Sequence, residues 1–242
     1  MKRTDNRRAL VAMVTTTVAL ASIALTTAWP GWSSRPLWFW TFACTLSELL
    51  WVRLPLGKAT LSMSSCFNLA AMFILPRGEA MVAVAASVAI AESVFMRKPA
   101  VRVMFNSAQT ALSIAAGSLA FELLGGAGHP LAGMVAGREL LPFLAAGLAY
   151  SAVNTGAVSV AVALSEGISP GRAWWQNFGN GFELFARGAL LSLGILVALH
   201  YSLTGPAGTL LVAVPLVLAR QGYARRLESL EAEATQRPAR AA

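Results

Sequence analysis

Two glutamates in apolar surroundings are the residues of this chain best placed to do chemistry. Glu48 lies in LSELLWVRLP (46–55) and Glu92 in IAESVFMRKP (90–99), so that Glu, Arg and Pro recur at a constant offset of 44. Past each proline comes a Phe-Asn-x-Ala run, carrying Asn68 in the first copy and Asn106 in the second. The first copy has six extra residues before that run. Gln109 and Asn154 are further polar residues inside apolar stretches. An ionisable side chain inside a membrane is costly, so it must face the bundle interior or find a partner. Two readings follow. Glu48, Asn68, Glu92, Asn106, Gln109 and Asn154 line a ligand or proton site. Alternatively, each glutamate reaches the interface and pairs with the arginine after it, Arg53 or Arg97, as structural glue.

Catalysis has little to work with. The two histidines, His129 and His200, fall on the same expected side, and zinc usually takes three or four protein ligands. No glutamate doublet with downstream histidines is present, as intramembrane proteolysis would want. The expectation is a protein without catalytic residues, cofactor or metal. Cys44 and Cys66 both sit in apolar stretches and are expected to pack rather than to form a secreted disulfide framework.

The elements that must hold these side chains are membrane helices. Of the 242 residues 56% are hydrophobic and 12% charged, and mean hydropathy is +0.61. A soluble domain carries roughly a quarter of its residues charged. Apolar stretches fall at about 9–29, 37–52, 60–76, 80–96, 102–124, 140–164, 188–203 and 207–221. The expected fold is therefore all-α: a polytopic transmembrane bundle of about eight spans with repeated helical hairpins. The count drops to six if the short segments 37–52 and 60–76 do not cross, since crossing takes ~20 apolar residues. Residues 1–222 form the membrane bundle. Residues 223–242 form a short charged cytoplasmic helix and a disordered tail.

Charge sets the orientation. With the amino terminus inside, only Arg35, Arg77 and Arg138 of the 19 lysines and arginines face out. Positive charge collects on the cytoplasmic side, so both termini are expected in the cytoplasm, with the protein multi-pass in a bacterial inner membrane. The net charge of +8 sits at span ends, which fits anionic lipid headgroups rather than nucleic acid. Trp29, Trp32, Trp38, Trp40, Trp51, Trp174 and Trp175 fall near expected span ends, where indole rings anchor helices at headgroup level.

Each repeat reads as a helix descending to a basic turn and a helix climbing back, with proline barring the first from continuing. A fainter third echo is Leu164-Ser165-Glu166, then Pro170, Arg172 and Asn177. The strings LPLGKATLSMSSCFNLAAMFILP (54–76) and VRVMFNSAQTALSIAAGSLAFELLGG (101–126) resemble the membrane-embedded amino-terminal region of some bacterial HD-GYP phosphohydrolases and related GGDEF signalling proteins. The resemblance covers roughly residues 37–226 and is strongest at Phe105-Asn106-Ser107-Ala108-Gln109. It implies a sensor-like or scaffold-like module that signals through a cytoplasmic protein. The enzymatic motifs of those families do not occur, so their activity is not carried over. The alternative is a small-molecule transporter or a substrate-capture subunit similar to the S components of energy-coupling transporters, which would pair with a transporter subunit. Either role needs a small ligand that the sequence does not specify.

Overall fold

The computed structural model describes residues 2–28, 35–53, 60–62, 64–126 and 140–240. In chain order these form α1 (Lys2–Ala28), α2 (Arg35–Glu48), a short antiparallel ribbon of β1 (Trp51–Arg53) and β2 (Thr60–Ser62), and α3 (Ser64–Ile74). Then come α4 (Arg77–Ile90), which ends in a π-turn over Ala91–Phe95, and α5 (Ala100–Leu123). Last are α6 (Leu140–Glu166), the short α7 (Pro170–Phe178) and α8 (Gly181–Arg240). The six residues by which the first hairpin exceeds the second belong to the stretch that contains the ribbon.

Four helices are long and apolar enough to cross a membrane: Arg8–Ala28, Arg77–Phe95, Leu140–Glu166 and Glu183–Val212. The expectation of about eight spans is not met among the described residues. Helix α2 has 14 residues and α3 has 11, which at 1.5 Å per residue reach about 21 and 17 Å of a ~30 Å hydrocarbon layer. Helix α5 is long enough, but polar residues such as Gln109, Thr110, Ser113 and Ser118 face its buried side and lower its hydropathy. The two expected segments after residue 188 are two helical stretches of α8 that meet at a kink at Gly205. There φ is +69°, a value open to glycine at little cost. His200 Nε2 lies 3.1 Å from the carbonyl oxygen of Gly208, a meeting that eight residues of straight helix, about 12 Å of rise, would prevent.

Helix α3 is the centre of the core. Cys66, Phe67, Asn68, Leu69, Ala70, Ala71, Met72 and Phe73 are all buried, with α2, α4, α5 and α8 packed around them. An apolar helix this short is covered by protein rather than by lipid. Helix α8 approaches it closely at Gly194, where a Cβ would stand 2.9 Å from Leu69 Cβ and 3.0 Å from the Cys66 carbonyl oxygen. Cys44 and Cys66 are buried and unbridged. Trp40, expected at the headgroups, is wholly buried, packed edge-on to Phe39 and against Tyr201 at 5.0 Å. Trp38, Trp175 and the outer faces of α1 and α6 carry the exposed apolar surface instead.

Replacing Gly194 by valine forces α8 off α3. The expected result is a loss of about 1–3 kcal/mol in reversible unfolding in detergent, with helix content retained before the transition. An unchanged midpoint would mean that this crossing does not hold the bundle together.

Candidate functional site

Each hairpin repeats one contact. In the second, Glu92 sits in the π-turn that closes α4, and Asn106 stands two turns into α5. The Asn106 side-chain nitrogen donates to both Glu92 carboxylate oxygens, at 2.7 and 2.9 Å. Lys98 adds an ion pair at 2.5 Å. The π-turn sets this up locally. Met96 donates its N–H to Ala91 and Lys98 donates its N–H to Glu92, while Arg97 adopts a left-handed φ of 51°. That geometry turns Lys98 back toward the glutamate and leaves Arg97 exposed. The sequence pointed to Arg97 as the partner; the π-turn selects Lys98. Insertions of this kind in α-helices often mark functional positions.

In the first hairpin Glu48 ends α2 and Asn68 lies just over one turn into α3. Here the amide donates to one carboxylate oxygen at 3.5 Å, a long contact. The described residues offer Glu48 no cation within ion-pair distance. The side chain of Arg53, the expected partner, lies outside the described residues. The third echo does not repeat the contact. Glu166 is exposed at the end of α6, and Asn177 donates to the carbonyl of Ala173 within its own helix.

The two glutamate–asparagine pairs face one cavity of about 360 Å³. Glu48, Asn68, Glu92, Asn106, Gln109 and Asn154 all line it. Helix α6 contributes Tyr150 and Ser151, α7 ends at it with Asn177 and Phe178, and α8 reaches it with Glu183, Arg187 and Leu190. Trp174 Nε1 donates to Thr155 Oγ1 at 3.0 Å and holds α7 against α6 beside this cavity. Asn180 caps the start of α8, its Oδ1 accepting from the Glu183 N–H at 2.8 Å, and the Glu183 carboxylate is 3.8 Å from Arg187.

Sequence reasoning missed Glu183 and Arg187 because Arg187 reads as a loop charge just ahead of an apolar run. Their spacing of four on one helix face was the available signal. A second, apolar crevice lies between α1, α4 and α5, lined by Val18, Leu25, Met81 and Met104. Among the described residues no group of three or more His, Cys, Asp or Glu converges as metal ligands. His129 lies outside the described residues.

The cavity occupies one end of the bundle, formed where α2 and α4 finish and α3, α5 and α8 begin. The opposite end is closed by rings. Phe73 meets Phe143 edge-on at 4.7 Å, and Phe121 lies 5.1 Å from Phe143. Arg77 and Glu122 pair there at 3.4 Å. With packed rings toward one end and the polar cavity toward the other, the cavity forms a one-sided vestibule.

A family profile matches residues 18–223, almost the whole apolar region. This chain belongs to the MASE9 family. MASE domains are membrane-associated sensor domains. The MASE9 match takes in both hairpins, the ribbon, α7 and α8 through its apolar part, so the vestibule lies wholly inside it. No curated protein and no solved structure matches the chain significantly.

A double-mutant cycle tests the second hairpin. Glu92→Ala and Asn106→Ala are each expected to destabilise the bundle, and their coupling energy is expected at about 0.5–2 kcal/mol in chemical unfolding. Strict additivity would show that the contact carries no weight.

Proposed function

We propose that this MASE9 domain is a non-enzymatic bacterial membrane sensor. A small polar molecule in the vestibule is read by α8, which passes the change to a cytoplasmic partner. One observation carries the reading. Glu183, Arg187 and Leu190 of α8 line the cavity, and a second helical stretch joined to this one at the Gly205 kink runs to Arg240. A molecule that pulls on Arg187 or Glu183 acts directly on the element that leaves the bundle. A ligand shifts such an equilibrium only by its differential affinity for the two arrangements, and contacts on the moving helix supply that difference.

The charge distribution gives the side. Arg97, Lys98, Arg102 and Arg172 lie in or beside the turns around the vestibule, and the positive-inside rule puts that end in the cytoplasm. The vestibule then opens inward; α8 starts on that side, so the chain turns back at the Gly205 kink, and the protein is a multi-pass resident of the inner membrane with both termini cytoplasmic. The resemblance to the membrane regions of HD-GYP and GGDEF proteins supports the same arrangement, a bundle upstream of a cytoplasmic signalling activity.

Two measurements address this. In variants Gln176→Cys and Leu124→Cys, a membrane-impermeant maleimide should label residue 124 on intact cells and residue 176 only in inverted vesicles. The reverse pattern would turn the vestibule outward. In nanodiscs, a small-molecule extract of bacterial cytoplasm should slow hydrogen exchange across residues 183–212. Asn154→Trp, which fills the cavity, should abolish that effect. Identical exchange with and without extract would remove the sensor reading.

A further inference from the structure

Among the described residues, the cavity holds two buried acceptors and one buried donor that its walls leave without partners, and their orientations follow from chemistry. A carboxylate only accepts, so Asn68 turns its nitrogen to Glu48 and leaves its oxygen free. The Thr110 hydroxyl gives its proton to the Asn106 carbonyl at 2.7 Å, so it accepts from Gln109 Nε2 at 2.9 Å. That leaves Gln109 Oε1 free. Asn68 is 2% exposed and Gln109 6%, and neither oxygen has a hydrogen-bond partner among the described residues. The Tyr150 hydroxyl lies beside Asn68 without closing a bond to that oxygen. Buried acceptors without donors are uncommon and costly.

Arg187 is short in the opposite sense. Its Nε is buried without an acceptor, and the contact of its Nη2 to Glu183, at 3.8 Å, is too long for a hydrogen bond. The guanidinium rests 4.8 Å over the Phe178 ring. Of the three carboxylates at the cavity, Glu92 has Lys98 and Glu183 has Arg187, while Glu48 has no described cation.

A simple cation would satisfy Glu48 but leave Arg187 short, and the basic turns at this end oppose it. A simple anion would satisfy Arg187 and face Glu48 and Glu92. A molecule bearing both charges meets both needs, and Leu69, Val88, Val158 and Leu190 offer its carbon frame an apolar wall. We infer that the cavity takes a small zwitterion of the amino-acid class, its ammonium held at Glu48 and Gln109 and its carboxylate at Arg187. This rests on the reading of the vestibule as a ligand site.

The test uses the full chain in lipid nanodiscs, titrated with individual α-amino acids, β-alanine and γ-aminobutyrate while unfolding is followed. Each compound is compared with its N-acetyl derivative and its primary amide. At least one zwitterion should raise the unfolding midpoint in a saturable way. Removing either charge should weaken binding about tenfold or more, as should Glu48→Gln or Arg187→Gln. Should Arg187→Gln fail to fold, Gln109→Leu reads the ammonium end by the same loss.

If the amide binds as well as the acid, Arg187 has no such role and the inference fails. If stability follows pH alone and that dependence vanishes in Glu48→Gln, the site holds a proton and the inference fails. If no zwitterion binds while cytoplasmic extract still slows exchange over 183–212, the inference fails and the sensor reading stands. If neither has any effect, both fall.

Discussion

A carboxylate carried into an apolar bundle has no water to lean on, so every donor it needs must come from the protein. Burying an ion without them costs several kcal/mol. The cavity end of this structure is organised around meeting that demand twice. Glu92 meets it fully, with an asparagine nitrogen on both oxygens and Lys98 turned back by a π-turn. Glu48 meets it in part, through Ser64 and a long contact to Asn68, with no cation within ion-pair distance among the described residues. The same hairpin plan thus yields one closed pair and one open pair. The difference lies in the connection: five π-turn residues bring Lys98 back to Glu92, whereas α2 is joined to α3 through the stretch that contains the ribbon.

That asymmetry organises the rest of the bundle. Helix α3 must begin beside Glu48, which places its eleven residues in the middle of the protein rather than against lipid. Four longer helices supply the apolar length that a bilayer requires, and α8 closes over α3 through the missing Cβ of Gly194. At the far end Phe73, Phe121 and Phe143 fill the space that side chains such as Asn68, Gln109 and Tyr150 leave as a cavity nearer the turns. Stacked and edge-on rings need no hydrogen-bond partners, so that end can be dry. Polar groups concentrate where the turns keep water within reach.

Helix α8 joins the two halves of the problem. Near its start it carries a glutamate and an arginine four residues apart, both at the cavity, and beyond Gly205 it continues as a helix to Arg240. In the proposed sensor, α8 is the described element that both lines the cavity and runs on toward residue 240. Between Arg187 and Arg220 the run carries no Asp, Glu, Lys or Arg, and it packs against α3 at Gly194.

The membrane class was legible in composition alone, because lipid imposes a hydropathy that soluble proteins do not share. The repeated hairpin was legible in the strings at 46–55 and 90–99 and in the Phe-Asn-x-Ala runs after them, whose glutamate and asparagine meet in each. All six polar residues singled out in the sequence line one cavity, because a polar side chain in an apolar helix has only the interior to face. Other features needed the tertiary structure. Hydropathy cannot separate a short core helix from a short span; the helices packed around α3 mark it as core. Nor can spacing show that a π-turn would deliver Lys98 instead of Arg97, since that depends on backbone hydrogen bonds at Ala91 and Glu92. Arg187 read as a loop charge because its partners, Glu183 and the Phe178 ring, converge only when α7 and α8 pack. Pattern determines which residues must go inside; only packing decides whom they meet there.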